Sequence, residues 1–332
     1  MLLFSSFSIV FYFWGSSKAY EIPSAETHQF QTSPDQASDT LRIVSYNVGY
    51  FSGMTNNLPV ERSKEMYNTH MAQFHTLMDE IKPDILAVQE VDFNSDRSFN
   101  VNQYKEMGKS PYFKYGATAV NWNKTYIPYP YLSPTKHFGT ILSGQAVLSR
   151  YPILKNERIV LSPPVDASFF YTAFYLERLA QVVEIQATKN IYVVNVHLEA
   201  FSDTTREVQA EELIKLIKPL KETHPVILIG DLNTVPIYTQ DKKFISDENN
   251  DFTTEQTLYM LIKELELEEA YTAEMGVNNP RATYTYPSDD PQAKIDHIFY
   301  DPKKIIPISR TTIQKNASLS DHLPVVFTFK LL

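Results

Sequence analysis

The sequence predicts a mixed α/β domain in which helices cover β-sheets, and two observations carry that expectation. Short runs rich in Val, Ile and Leu recur along the chain, and longer stretches between them repeat their apolar residues at the helical interval. The strand runs are 41–48, 84–91, 145–149, 191–197 and 226–230, several of them apolar on both faces, as central strands covered on each side are.

The helices follow from spacing. Phe74, Leu77, Met78 and Ile81 fall at i, i+3, i+4 and i+7; Leu213, Leu216, Ile217 and Leu220 repeat the pattern, as do Leu258, Leu261, Ile262 and Leu265. Thr204 with Glu207 and Thr253 with Gln256 have capping-box spacing, so helix starts are expected there.

Composition bounds the function. The 332 residues are 43% apolar and 13% aromatic, enough for a substantial core. The 21 Tyr and 20 Phe exclude a disordered chain. With no Cys, disulfide frameworks, zinc–thiolate sites, iron–sulfur clusters and thiol nucleophiles are excluded. A net charge of −9 disfavours tight nonspecific nucleic-acid binding but leaves a local basic groove open.

Residues 1–14 are nearly all apolar and are followed by Gly15-Ser16-Ser17-Lys18-Ala19. The small residues Ser17 and Ala19 give the spacing a signal peptidase needs, so residues 1–19 are expected to be a cleaved leader that sends the protein outside the cell or into the periplasm. The alternatives are a buried N-terminal strand or a membrane anchor, but a span needs roughly 20 apolar residues. Cleavage would leave 313 residues and a charge of −10. An exported chain without Cys points to a bacterial source. Residues 20–40 are polar and aperiodic and are expected to be a flexible lead-in to a single domain over 41–332.

Chemistry is expected where polar residues interrupt strand ends. Asn47, Glu90, His197 and Asp231 stand at the ends of apolar runs; Asn233 follows in Gly-Asp-Leu-Asn, Asp296 lies in Lys-Ile-Asp-His, and Asp321 and His322 precede the last strand. A buried polar group left unpaired there costs several kcal/mol, and ligand sites in open α/β sheets lie at strand carboxyl ends. Singly, each has a structural explanation: Asn47 a turn former, Glu90 a helix cap, His197 a satisfied buried histidine, Asp231 with Asn233 an Asx-turn. Their joint occurrence favours one convergent site.

These residues resemble the endonuclease/exonuclease/phosphatase superfamily from about Leu41 to the C-terminus. The resemblance rests on Ser-Tyr-Asn47-Val, Val-Gln-Glu90, Leu-Ser-Arg150-Tyr-Pro, Asn-Val-His197-Leu, Gly-Asp231-Leu-Asn233, Ile-Asp296-His and Ser-Asp321-His322-Leu-Pro. It implies a four-layer sandwich, two mixed β-sheets packed face to face with helices outside, and a phosphoesterase. The many oxygen donors and missing thiolates suit a hard cation, Mg²⁺ or Mn²⁺. By resemblance Glu90 is its direct ligand, with Asn47 beside it and Asp321 adding a carboxylate. His322 with Asp296 is expected as the base that takes a proton from water, Asp231 being the alternative base. Asn233 and His197 are expected to donate to phosphoryl oxygens. Arg150 is either a phosphate contact, through its planar donor fork, or a structural arginine pairing across the sheets, the reading we favour. Strand alternation sends His297 to the face opposite Asp296.

Substrate choice rests on two aromatic inserts, residues 121–138 and 168–176, both expected to be loops. They could stack on bases, touch a membrane surface transiently, or pack on their own domain. Export disfavours nuclear repair and cytosolic inositide signalling. The expected partner is a phosphodiester, in nucleic acid or a phospholipid head group, acted on by a monomer. The alternatives are a phosphoinositide phosphatase and a binding module that keeps the fold without catalysis. The completeness of the acid–base and metal set favours the enzyme.

Overall fold

The computed structural model describes residues 2–332 except 33–35, 132, 166, 240–251 and 316. In chain order the main elements are α1 (Leu2–Ser16), β1 (Ala25–Gln29), β2 (Thr40–Asn47), α2 (Lys64–Ile81), β3 (Ile85–Asp92), α3 (Gln103–Met107), β4 (Tyr115–Ile127), β5 (Gly139–Ser149), β6 (Ile153–Val160) and α4 (Phe169–Phe174). They continue with β7 (Leu179–Gln186), β8 (Asn190–His197), α5 (Asp203–Thr223), β9 (Val226–Asp231), α6 (Thr257–Leu265), β10 (Glu268–Glu269), α7 (Ala273–Asn278), β11 (Asp296–Tyr300), β12 (Ile305–Thr312) and β13 (Val325–Leu331).

The strands form two mixed sheets, ordered β1-β4-β5-β3-β2-β13-β12 and β10-β11-β9-β8-β7-β6. Residue alternation explains their stacking. Ile43, Ile85 and Val147 of the first sheet meet Val183, Val193 and Ile229 of the second in a buried layer between them. Their chain neighbours Val44, Leu86 and Leu148 turn outward under the α2 residues Phe74, Leu77 and Met78. On the far side Val194, Val196 and Leu228 pack under Leu213 and Ile217 of α5 and Leu258 and Leu261 of α6. The result is the expected four-layer sandwich, helix, sheet, sheet, helix.

The only parallel pairs among the described strands are β2–β3 and β8–β9, each joined by a crossover helix, α2 and α5. Both crossovers leave their strands' carboxyl ends at the same edge of the sandwich, and that edge carries the site.

Three expectations are corrected. Residues 20–40 contain β1, which pairs with β4 from Ala25↔Ala119 to Gln29↔Tyr115, so the fold begins before residue 41. As an edge strand with mostly exposed side chains, β1 carries no apolar signature in the sequence. The first aromatic insert is strand up to Ile127, and the second holds the short helix α4. The helix caps also move. Ser202 caps α5 by accepting from Thr205 N, and α6 starts only at Thr257. Glu207 accepts from Gln256 N, and the Gln256 side chain donates to Thr254 O, so neither closes a capping box.

Candidate active site

Two tightly turned backbones aim the acids. Gly230, at φ +142°, brings β9 so close to β8 that a Cβ there would lie 2.0 Å from Val196 O, and Asp231 follows at the strand's end. Glu90 itself sits at φ +53°, in the stretch where the β3–β5 register shifts between Val88 and Val91. A bulge of this kind bends the strand and re-aims one side chain, here the carboxylate that faces the site.

Around them the strand ends converge. Asn47 Nδ2 donates to Glu90 Oε1 and to Asp231 Oδ2, both at 3.0 Å, while its Oδ1 accepts from Gly49 N. Asp231 and Asp296 are register partners on β9 and β11. His322 reaches both, with Nδ1 2.9 Å from Asp296 Oδ2 and Nε2 3.8 Å from Asp231 Oδ2. Asn233 is fixed by Nδ2 on Leu198 O and by its own N–H on Asp231 Oδ1. His197 closes the group, its Nε2 3.6 Å from Asp231 Oδ2.

Burial sets the charges. It opposes charge on His322, but Asp296 and Asp231 outweigh it and hold the imidazole's pKa well above its ordinary value. Burial, joined by the charge on Asp296, pushes Asp231 up to about 7, with His322 pulling the other way. His197 is held neutral by burial and by the positive charge of Arg178.

Arg178 was missed in the sequence. Its Nη1 lies 2.7 Å from His197 Nε2, so the imidazole accepts there, and its Nε faces Glu199 Oε2 at 3.5 Å. Tyr175 also donates to Glu199. A cation placed just before an apolar strand, at Leu179 opposite His197, was the available signal. Asn56 was missed as well, because its loop has no periodic pattern. Its Nδ2 donates to Asp321 Oδ2 at 3.0 Å and approaches Glu90 Oε2 at 3.4 Å.

Not every expected residue arrives. Arg150 lies at the far end of the sheet: it pairs with Asp84 at 3.3 Å, and its N–H donates to Asp84 O. Because Ser149 is in register with Ile85, while Glu90 is five residues further along β3, Arg150 stands roughly 16 Å from the site edge. It is a structural arginine and not a substrate contact. His297 turns away as expected, onto Glu269, Lys294 and Thr234 O.

Two groups of donors bear on cation binding. Glu90 and Asp321 share the single amide of Asn56, whose Oδ1 is buried with no partner among the described residues. Burial and the charge of Glu90 push Asp321 up to about 6, with His322 opposing. Among the described residues neither acid forms an ion pair with Lys or Arg, and with the Asn56 oxygen the two carboxylates make an oxygen donor set that could hold a hard divalent cation. Asp231, Asp296 and His322 also place three ligand atoms within 4.8 Å of one another. There, however, the imidazolium already supplies a positive charge, so Glu90 and Asp321 are the pair that could hold a cation. Asn47, expected beside Glu90, presents its NH₂ to the carboxylates of Glu90 and Asp231.

The site opens into a cavity of about 370 Å³. Glu90, Asp231, Asp321, His322 and Arg178 line it, together with an apolar wall that includes Trp122, Tyr129, Phe138, Phe174 and Phe201. Tyr286 packs on the His322 ring, centroids 5.0 Å apart.

The model of the endonuclease/exonuclease/phosphatase family matches residues 44–322. No curated protein matches the chain. Solved structures share the fold at low identity. An endonuclease/exonuclease/phosphatase from Beutenbergia cavernae is 18% identical with a TM-score of 0.64, over 88% of this chain and 72% of that one. The human Nocturnin catalytic domain with bound sulfate is 17% identical with a TM-score of 0.60, over 93% and 98%. A mannosyl-6-phosphatase from Bacteroides thetaiotaomicron is 16% identical with a TM-score of 0.57, over 88% and 99%.

Proposed function

The chain belongs to the endonuclease/exonuclease/phosphatase family, whose members are hydrolytic phosphoesterases, and on that premise we propose that it is a divalent-metal-dependent phosphodiesterase working outside the cytoplasm. The observation that carries this reading is the buried triad Asp231–His322–Asp296, of which Asp231 and His322 line the same cavity as the acid pair Glu90–Asp321.

A bound Mg²⁺ or Mn²⁺ at Glu90 and Asp321 would neutralise a phosphate oxygen and the charge that develops on it. The chain's own groups do the rest. Arg178 and the Asn233 amide lie where phosphoryl oxygens would be held. His322, charged between two carboxylates, has no free lone pair to accept a proton. Asp231, raised toward neutrality, is therefore the better-placed base for in-line attack by water. This favours the alternative over the expected His322–Asp296 base. Asp296 then keeps the imidazolium in place.

The apolar wall supports a diester over a monoester, because it offers contact to a sizeable group on the leaving side, either a stacked base or a lipid. The mannosyl-6-phosphatase among the structural neighbours keeps a monoesterase on the list of test outcomes. The apolar run over residues 1–14, with the small residues Ser17 and Ala19 after it, supports export. Hydrolysis of bis-p-nitrophenyl phosphate with Mg²⁺, its loss in EDTA and its loss in Asp231→Asn are expected. Activity on p-nitrophenyl phosphate alone would make the protein a monoesterase.

A further inference from the structure

The cations around the cavity are already engaged. Its described lining contains two arginines, Arg97 and Arg178, and no lysine. Arg97 is only 4% exposed. Its Nε and Nη2 bind the two oxygens of Asp92 at 3.0 and 2.8 Å, and its guanidinium lies 3.7 Å from the centre of the Tyr50 ring. Arg178 is held between Glu199 and His197. On the segments that carry the lining, Lys136 pairs with Glu61 at 3.0 Å, Lys124 Nζ donates to Ser16 O at 3.1 Å, and Arg62 Nη2 donates to Leu58 O at 3.1 Å. Residues 240–251, outside the described ones, carry four acids against two lysines.

What the cavity offers instead is aromatic surface and room for a compact molecule. Phe138 meets Trp122 and Tyr129 edge-on, with centroids 6.4 and 5.3 Å away, and Phe201 lines the cavity with a side chain 58% exposed. The volume of about 370 Å³ suits a small ligand, since pockets of roughly 300–1,000 Å³ take drug-sized molecules. One phosphate is provided for, by Arg178, the Asn233 amide and a cation at the acid pair. A second phosphate would meet the carboxylates of Glu90, Asp231 and Asp321 or the aromatic rings, with no unpaired Lys or Arg among the described lining residues. A nucleic-acid strand is held by Lys and Arg that neutralise its successive phosphates, and this lining supplies none.

We infer that the substrate is a small phosphodiester with a single phosphate and an uncharged, largely apolar alcohol, and that the cavity turns away a polyanion such as a nucleic-acid strand. The inference rests on the phosphodiesterase reading above and narrows it. An aliphatic alcohol and a nucleoside share the chemistry required: an apolar chain or ring face for Trp122, Tyr129 and Phe201, and no charge to set against the acids. Selection against the second phosphate acts through electrostatic repulsion, so it weakens as salt screens the mouth of the cavity.

Three p-nitrophenyl esters, assayed with Mg²⁺ at low salt, test this: p-nitrophenyl octyl phosphate, thymidine 5′-(p-nitrophenyl phosphate), and the same thymidine ester carrying a 3′-phosphate. The last two differ by one phosphate alone. The 3′-phosphorylated ester is expected to show kcat/KM about tenfold or more below its parent, with the gap shrinking as NaCl is raised. Phe201→Lys, which puts a cation on the wall at an exposed position, should cut the gap to about threefold or less with an unchanged thermal midpoint. The octyl and thymidine esters separate an aliphatic source of the alcohol from a nucleoside one. Equal or faster turnover of the 3′-phosphorylated ester overturns the inference and leaves the phosphodiesterase reading standing. A gap that salt and Phe201→Lys both leave unchanged also overturns it, because size and not charge would then be its cause. Release of nitrophenol from none of the three removes the reading and the inference together.

Discussion

Asp231 and Asp296 face each other across the β9–β11 ladder, both buried, and the imidazole of His322 reaches the two of them. Like charges directly opposite on neighbouring strands repel. The arrangement persists because the histidine puts a positive charge between them, and the same charge then faces the substrate end of the cavity.

Removing that charge should cost catalysis more than folding. His322→Ala is expected to lower kcat by about 10²-fold or more, with only a small shift in thermal midpoint, since one acid can take up a proton in the absence of the imidazole. Turnover of bis-p-nitrophenyl phosphate and a melting curve on the same preparation check this. A variant with near-wild-type kcat would remove His322 from the machinery.

The pH profile separates the two bases. With Asp231 as base, raised to about 7, kcat/KM falls as pH drops below neutral, because the carboxyl takes up its proton there. With His322 as base, activity would wait for the imidazolium to lose its proton and would rise only above its raised pKa. A plateau reached near pH 8 supports Asp231; a rate still climbing well into the alkaline range supports His322.

Cation binding should track Glu90 and Asp321. Calorimetric titration with Mn²⁺ is expected to show binding weakened about tenfold or more in Glu90→Gln and in Asp321→Asn. Arg150→Ala should leave Mn²⁺ affinity, kcat and KM unchanged. Its partly exposed pair with Asp84 contributes about 0–1 kcal/mol to stability.

Away from the site, Glu269 offers a stability test. Burial works against its carboxylate, but Lys294 at 2.6 Å and His297 at 2.8 Å outweigh burial and hold its pKa at about 2, against an ordinary 4.5. A depressed carboxylate pKa stabilises the fold above the unfolded value and loses that contribution as pH falls through the folded one. The stabilisation, on the order of 3 kcal/mol, is therefore present above pH 4.5 and fades toward pH 2. Glu269→Gln should lower the urea midpoint at pH 7, and the gap to wild type should narrow on acidification. A gap independent of pH contradicts this.

Much of the site was legible because its residues interrupt strands that are otherwise apolar: Asn47, Glu90, His197 and Asp231 each stand out against a buried run. The sandwich was legible for the same reason, since Ile43 and Val44 both demand burial on opposite faces. What stayed hidden lacked such contrast. The edge strand β1 has polar, exposed side chains, and the tip of β4 is aromatic and reads as loop. Asn56 reaches the acids from an aperiodic loop, and the role of Arg178 depends on the β7–β8 register that brings it to His197. Arg150 had a motif but no position, because the sheet carries it to the opposite edge.

The central claim is metal-dependent cleavage of a phosphodiester at the Glu90–Asp321 and Asp231–His322–Asp296 groups. The most direct measurement is one panel of double-stranded DNA, RNA, sphingomyelin vesicles and phosphoinositide vesicles, each with Mg²⁺ and with EDTA, using wild type and Asp231→Asn. Cleavage of a phosphodiester in at least one substrate, absent in EDTA and absent in the variant, is the predicted result. No turnover of any substrate with Mg²⁺ or Mn²⁺, or cleavage that persists in EDTA, would contradict the account.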